Sequence, residues 1–227
     1  QGDAVDSGSD LNNTENPAGL SDSVRGVFGI TSGSAYKNAI DYITIQSIGT
    51  ALDFGDLTDI RGYGAALAST TRGCFLGGID TTQPAPDVDI DVIDFVTIRS
   101  TGNATDFGNM TNGISNQSAA SNAVRGIVCG GSPNNSRVIN NIQYLTIATL
   151  GNAIDFGDLI GNSYRSCTVA SSTRFVHHRG QSNSGLGSRV NNLEYSEIAT
   201  TGNTQDFGDL VDDQTDRDGI TNGHGGL

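Results

Sequence analysis

The amino-acid sequence predicts an all-β protein that is built from four copies of one supersecondary unit. The first observation is the motif Asp-Phe-Gly, which begins at Asp53, Asp106, Asp155 and Asp206, at intervals of 53, 49 and 51 residues. The second is the β-branched or aromatic segment that precedes each copy, such as Tyr-Ile-Thr-Ile at residues 42–45. The third is the lack of any longer window with a helical period, which predicts almost no helix. A repeat of about 50 residues indicates units that bury their apolar faces only against one another.

The second unit shows how one copy is organised. It runs through a small apolar segment, an apolar segment that ends in Gly-Gly, a polar loop, a β-branched segment, a turn and a closing strand, at residues 64–69, 72–78, 79–91, 92–98, 100–103 and 104–110. Short strands punctuated by Gly and Asn are typical of antiparallel β-structure. Four-stranded units of this length are typical of β-propeller blades. A solenoid, which usually has a shorter period, is the second choice.

Both ends of the chain carry a segment that aligns with the small strand, at residues 18–24 and 218–222. In a propeller, a strand from one terminus often completes the last blade and removes an open sheet edge. The sequence therefore predicts four blades of four short antiparallel strands, closed by pairing of the two termini. The alternative is a partial ring that another chain completes. Residues 1–17 are polar and acidic and are predicted to be a leader or arm, with the propeller spanning residues 18–227.

The composition argues against several classes of function. The chain has 12 basic and 25 acidic residues, a formal net charge of −13, so it lacks the basic surface that nucleic acids and anionic membranes attract. No run of about 18 apolar residues predicts a membrane span, and no signal-peptide pattern is present. We therefore expect no nucleic-acid partner and no membrane insertion. Cys74, Cys129 and Cys167 form no CxxC pair and are predicted to be buried free thiols.

Two sets of residues are candidates for metal binding. Asp-x-x-Asp pairs carry hard oxygen ligands that suit Ca²⁺, and they begin at Asp53, Asp155 and Asp206. We favour carboxylates that cap their own turns, although the sequence leaves a Ca²⁺ site open. His177 and His178 could join His224 at a transition metal, but adjacent strand residues point to opposite faces. Because no catalytic motif occurs, we expect neither an enzyme nor a cofactor.

The loops that follow the second strand of each unit are the favoured binding site. They differ from one another while the strands repeat, and they span residues 31–39, 79–91, 132–140 and 181–191. Binding residues concentrate on loops carried by a rigid scaffold, and all four loops should emerge on one face. Their candidate binding residues are Ser34, Tyr36, Asp80, Asp87, Asn134, Asn135, Ser184 and Arg189. The alternative is that they are tolerated surface loops.

The units resemble the kelch repeat. The counterparts in the second unit are residues 65–69, the Gly-Gly segment 72–78, Phe95 and Phe107. The third unit matches again with residues 128–131, Tyr144 and Phe156. The chain departs from the kelch pattern in having no Trp, and its first and fourth units lack Gly-Gly. The resemblance implies a kelch-like β-propeller.

The units are also similar to a kelch-like repeat of tailed bacteriophages, particularly marine ones. The similarity is carried by Arg-Gly-Val-Phe-Gly at residues 25–29, Ile-Asp-Tyr-Ile-Thr-Ile at 40–45 and Thr-Gly-Asn-Ala-Thr-Asp-Phe-Gly at 101–108. It implies a non-enzymatic protein of the virion surface, as a capsid decoration, tail or fibre domain. The implied partners are other virion proteins, a host-surface glycan or protein, and further copies of the chain. The alternatives are a kelch-type protein–protein adaptor and, less favoured, a carbohydrate-active enzyme or copper oxidase.

Overall fold

The computed structural model describes residues 16–31, 36–80, 82, 88–133, 137–183, 188–216, 218, 219 and 221. These residues form four small antiparallel sheets, one from each repeat unit, and one two-stranded ribbon. No helix among them is long and apolar enough to cross a membrane. The sheets are the blades of a four-bladed β-propeller, so the predicted all-β propeller is confirmed.

Each blade takes its four strands from one continuous stretch of chain. Blade 1 contains β1 (Ala18–Ser21), β2 (Arg25–Gly29), β3 (Ala39–Thr44) and β4 (Leu52–Asp56). Blade 2 contains β5 (Ala65–Ala68) and β6 (Arg72–Leu76), the ribbon of β7 (Ile79–Asp80) and β8 (Val88–Asp89), then β9 (Val92–Thr97) and β10 (Thr105–Asn109). Blade 3 contains β11 (Ser118–Ser121), β12 (Arg125–Cys129), β13 (Ile139–Thr146) and β14 (Ile154–Ser163). Blade 4 contains β15 (Cys167–Ala170), β16 (Arg174–His178), β17 (Val190–Glu197) and β18 (Gln205–Gln214).

The blades pack on one another in chain order around a common axis. The inner strands β1, β5, β11 and β15 contact their neighbours in this order, and their small side chains allow the close approach. Three apolar cores lie between consecutive blades. In the third, the rings of Phe156 from blade 3 and Phe175 from blade 4 lie 5.9 Å apart. No unit therefore has a core of its own, as the repeat length predicts.

The glycine of the Asp-Phe-Gly motif lets the next blade approach. Gly55 has a φ of +144°, and a Cβ there would lie 2.5 Å from the carbonyl group of Gly102, in the turn between the third and fourth strands of blade 2. The Gly102 N–H donates a hydrogen bond to the Phe54 carbonyl oxygen at 2.7 Å. The same contact joins Gly108 to Gly151 and Gly157 to Gly202. The motif recurs because it is the point at which one blade docks on the next.

The predicted closure by pairing of the two termini is not found in the described part of the chain. Blades 1 and 4 each contain all four of their own strands, so neither is completed by the other end of the chain. β15 also makes no contact with β1 comparable to those between the other inner strands. Of the predicted leader, only residues 16 and 17 are described.

The C-terminal segment, of which residues 216, 218, 219 and 221 are described, continues the repeat beyond blade 4 instead of returning to blade 1. The Thr221 hydroxyl donates to the Ala170 carbonyl oxygen at 2.6 Å. Ser121 of β11 makes the equivalent bond to Ala68 of β5, also at 2.6 Å. This segment therefore lies where a further inner strand would follow β15. The C-terminal segment therefore occupies an inner-strand position, as the sequence match predicts, and its pairing with blade 1 is not found among the described residues.

Candidate functional site

All four candidate loops leave the scaffold on one face of the propeller. In each antiparallel blade the loop after the second strand lies beside the connector that leads into the inner strand. β-Bridges between connector and loop show this, at Gly62 with Ile79, Ser115 with Ser132, and Tyr164 with Gln181. We call the side with these loops and connectors the loop face, and the opposite side the turn face.

Five of the eight predicted binding residues lie outside the described residues: Ser34, Asp87, Asn134, Asn135 and Ser184. The other three belong to three different blades, so the structure does not bring them together. The half-buried Tyr36 packs its ring edge-on against Tyr63, with centroids 6.1 Å apart. Asp80 accepts hydrogen bonds from the N–H and hydroxyl of Thr82, both at 2.7 Å. Arg189 is exposed beside its bridge to Gln181.

The connectors form a hydrogen-bonded series on the loop face that the sequence did not reveal. Each has a non-glycine residue with positive φ at the same repeat position, namely Asn16, Tyr63, Asn116, Arg165 and Asp216. The Asn116 N–H donates to the Tyr63 carbonyl oxygen at 2.8 Å, and the Arg165 N–H donates to that of Asn116 at 3.2 Å. Positive φ at non-glycine residues is costly and persists only where the surrounding structure enforces it. The loops therefore stand on a rigid base.

A polar pocket lies between blades 3 and 4. It has a volume of about 170 Å³ and is lined by Ile160, Arg179, Asn192, Leu193, Glu194 and Asp206. The buried Glu194 accepts hydrogen bonds at Oε2 from the Ile160 N–H at 2.7 Å and from the Thr204 hydroxyl. Its Oε1 accepts none among the described residues and lies 3.8 Å from Arg179 Nε. Burial raises the pKa of Glu194.

The equivalent positions in blades 2 and 3 show which part of Glu194 is scaffold. Asp94 binds Thr58 of blade 1 and forms a fully buried ion pair with Arg61 at 3.0 Å. Gln143 accepts hydrogen bonds from the N–H and hydroxyl of Thr111. Each side chain anchors the end of the preceding blade, as Glu194 Oε2 does. Glu194 Oε1 is a further acceptor in a residue that lines the pocket. The sequence did not reveal it because an acidic residue in a strand is usually exposed to solvent.

The two adjacent histidines contact different groups. His177 is fully buried, with Nε2 2.7 Å from Ser163 Oγ and Nδ1 2.9 Å from Thr168 Oγ1. Burial, followed by the charges of His178 and Arg179, lowers the pKa of His177 to about 3. His178 Nε2 lies 3.0 Å from the Val190 carbonyl oxygen. The two rings therefore do not share a ligand, as their adjacency on a strand predicts.

No group of three or more His, Cys, Asp or Glu side chains that could hold a metal occurs within the described ranges, and His224 lies outside them. The motif aspartates bind nearby groups instead. Asp106 accepts from its own Gly108 N–H at 3.0 Å, whereas Asp155 accepts from Asn141 Nδ2 on the adjoining strand at 2.9 Å. Asp106 thus caps its own turn, whereas Asp155 and Asp209 accept hydrogen bonds from asparagines on the adjoining strand.

None of the three cysteines forms a disulfide, and Cys74 and Cys129 are buried as predicted, whereas Cys167 is half-buried. Burial raises the pKa of Cys74 to about 12 and that of Cys129 further still. Because the thiolate is the reactive form of cysteine, these two thiols are inert near neutral pH.

Comparisons with known proteins define the class. No protein-family model and no curated protein sequence matches the chain. Among solved structures, "Structure of YjhT" is similar with a TM-score of 0.72 and 9% sequence identity, over 89% of this chain and 67% of that one. YjhT is a propeller protein. At this identity the likeness shows the fold alone: the chain is a β-propeller.

Proposed function

We propose that the protein is a non-enzymatic structural component of a bacteriophage virion, as a capsid-decoration, tail or fibre domain, whose loop face binds a host-surface glycan or protein. The binding role is supported by a difference between two groups of residues in each unit, those that recur in every unit and those that do not. Residues that recur in every unit, such as Phe54 and Gly55, are used between blades. The residues that differ between units belong to the loops after the second strands, whose described ends lie on the loop face.

The virion assignment is supported by the sequence resemblance of residues 25–29, 40–45 and 101–108 to the bacteriophage kelch-like repeat. The net charge of −13 is compatible with exposure on a particle, because mutual repulsion keeps such surfaces from adhering to one another. Mass spectrometry of purified particles from the source virus tests the assignment. Absence of the protein from those particles would remove the virion role and favour the kelch-type adaptor.

A glycan is the ligand class that the polar pocket favours. Arg179 lies at the loop-face end of β16, and with Asn192 and Glu194 it offers both hydrogen-bond donors and acceptors beside the apolar Leu193. Sugar hydroxyls both donate and accept hydrogen bonds, so a mixed set of this kind suits them. Glu194 Oε1, which accepts no hydrogen bond among the described residues, is the acceptor that a ligand hydroxyl would reach.

A glycan array with the purified chain tests this ligand class. Glu194→Gln is the informative variant, because blade 3 carries Gln143 at the same position and keeps the scaffold bonds. We expect wild type to bind a restricted set of host polysaccharides and Glu194→Gln to bind at least about tenfold more weakly. Val124→Ala, at a 62% exposed site on the turn face, serves as the matched control and should bind as wild type does. Binding to no glycan would leave a protein receptor as the ligand, and cleavage of a bound glycan would contradict the non-enzymatic role.

A further inference from the structure

Within the described part of the chain, two blade faces lack the cover that the same faces have elsewhere in the structure. Phe207, the fourth copy of the motif aromatic, is 52% exposed, whereas Phe54, Phe107 and Phe156 are 2–3% exposed. At the other end, Ile45 of blade 1 is 50% exposed, whereas its counterparts Ile98, Ile147 and Ile198 are at most 1% exposed. Each uncovered residue lies where an adjacent blade would pack.

We define two surfaces from these residues. The leading face is the side of blade 4 that corresponds to the side of blades 1–3 covered by the next blade, with Val176, Leu193, Phe207 and Leu210. The trailing face is the side of blade 1 that corresponds to the side of blades 2–4 covered by the previous blade, with Phe28, Ile43 and Ile45. All seven residues are exposed or half-buried, and all are apolar.

The three interior interfaces show how a leading face binds a trailing face. An arginine on the second strand donates from Nη1 to the carbonyl oxygen of an isoleucine in the next blade, as Arg25 to Ile98 (3.1 Å), Arg72 to Ile147 (2.8 Å) and Arg125 to Ile198 (2.7 Å). The isoleucine side chain lies in the core between the two blades. The same arginine–isoleucine contact therefore defines both the leading face and the trailing face at each interface.

The free ends carry the two unmatched halves of this geometry. Arg174 is the fourth arginine of the series, and it pairs within its own blade with the exposed Glu197 at 2.9 Å. Ile45 is the matching isoleucine of blade 1. A Cβ added at Gly208 would meet no atom of the described residues within 4 Å, unlike one at any of the first three motif glycines. The chain thus presents, at opposite ends, both sides of an interface that it forms three times internally.

We propose that the leading face of one copy binds the trailing face of a second copy of this chain, head to tail. In this contact Arg174 donates to the Ile45 carbonyl oxygen of the second copy, and Phe207 is covered by its blade 1. A second copy is the occupant because it supplies the missing side with the correct residues at the correct spacing. The interface is heterologous, so it closes into a ring or extends into a filament according to the rotation between copies. The proposal does not depend on the virion role.

The C-terminal segment must be displaced for this contact to form, because it lies where the inner strand of the second copy would pack. It is held by the Asp216 N–H bond to the Arg165 carbonyl oxygen at 3.2 Å, by the Arg165–Asp216 ion pair at 3.7 Å, by the Thr221 hydroxyl bond and by close packing of Gly219 on β15. β1 is held more firmly, since it pairs with β2 along its whole length and packs on β5. The competition therefore favours β1, and the C-terminal segment acts as a weak cap on the leading face.

Sedimentation of the full chain, at roughly 1–100 μM and about 0.15 M salt to screen the charge repulsion, tests the proposal. We expect mass to rise with concentration above that of the 23.5 kDa monomer. Phe207→Glu and Ile45→Glu should each weaken assembly at least about tenfold, because each places a charge in an apolar contact. Both residues are half exposed in the single chain, so the thermal midpoint of the dilute protein should be unchanged. Val124→Glu, at a 62% exposed site on the turn face, should assemble as wild type does.

Mixing the two single variants separates this proposal from other modes of association. The Phe207→Glu chain keeps an intact trailing face and the Ile45→Glu chain keeps an intact leading face, so the mixture should form dimers and stop there. Thr221→Val, which removes the cap bond, should assemble as tightly as wild type or more tightly. A wild-type chain that stays monomeric throughout, a mixture that fails to dimerise, or loss of assembly in Thr221→Val would each overturn the proposal.

Discussion

The first three Asp-Phe-Gly motifs and the fourth have the same sequence and opposite surroundings. Phe156 lies between blades 3 and 4, 2% exposed, with Tyr144 and Phe175 packed edge-on against its ring. Phe207 keeps the equivalent contact with Tyr195 in its own blade, at 5.9 Å, and is 52% exposed. The motif alone therefore fixes the contact within a blade, and the next blade supplies the burial. A repeated residue therefore contributes to the scaffold only where a neighbouring blade covers it.

Truncating the two aromatics gives the largest contrast. Phe156→Ala should lower the free energy of unfolding by about 3–5 kcal/mol, because it leaves a cavity in the core between blades 3 and 4. Phe207→Ala should lower it by less than about 1 kcal/mol in the dilute monomer, where half of the ring already contacts water. Urea denaturation of both variants below the assembly concentration measures the difference. Equal losses would show that the fourth motif is buried in solution.

Alanine substitution of two motif glycines compares a covered and an uncovered motif at a similar backbone conformation. Gly108 and Gly208 have similar φ values, +140° and +133°, so substitution by alanine has a similar conformational free-energy cost at both positions. At Gly108 the new Cβ would lie 2.6 Å from the Gly151 carbonyl oxygen, whereas at Gly208 it meets no described atom within 4 Å. Gly108→Ala should therefore destabilise the chain by about 2 kcal/mol more than Gly208→Ala. Equal losses of unfolding free energy in the two variants, measured by urea denaturation, would mean that glycine is required by the backbone φ and not by the contact with the next blade.

The sequence predicted the blade, its strand order and the loop face, because a period of about 50 residues and the alternation of strands and turns are local signals. It did not predict where the C-terminal segment packs. Residues 18–24 and 218–222 both match the inner strand, and similarity of sequence cannot tell a strand that closes a ring from one that continues it. The pocket was missed for a related reason: Ile160 of blade 3 meets Glu194 of blade 4 only after the two blades pack, and neither residue departs from ordinary strand composition.

The interface between blades 3 and 4 is more polar than the interface between blades 1 and 2. We therefore expect it to lose stability at low pH. Phe75 packs against blade 1, whereas its counterpart His177 packs against blade 3 among hydroxyl groups. Since the pKa of His177 is lowered to about 3, the unfolded chain takes up the proton first as the pH falls below 6.5. Stability from this residue is therefore complete above pH 6.5 and is lost towards pH 3, with a loss of about 2 kcal/mol at pH 5.

Denaturation of wild type and His177→Gln at pH 8 and pH 5 measures this dependence. The variant removes the titrating group, so its stability should fall less between the two pH values, by about 2 kcal/mol, whatever its stability at pH 8. Glu194 and the other carboxyl groups titrate in both chains and cancel in the comparison. An identical fall in the two chains would place the acid sensitivity elsewhere.

The smallest contrast concerns the asparagine that caps the preceding blade. Asn152 Oδ1 accepts the Asn109 N–H at 3.0 Å, and Asn103 and Asn203 do the same at the other two interfaces, whereas blade 1 carries Thr50 at this position. Asn152→Ala should cost about 1 kcal/mol, the value of one hydrogen bond. Thr50→Asn should change the stability of the dilute monomer by less than about 0.5 kcal/mol, because Thr50 is exposed and no blade of the described structure packs on that side of it. In the head-to-tail assembly the same substitution gains the Asp209 N–H of the second copy as a donor, so Thr50→Asn should tighten association while leaving the monomer unchanged. Sedimentation and urea denaturation of this one variant therefore separate the effect of the residue from the effect of its neighbour.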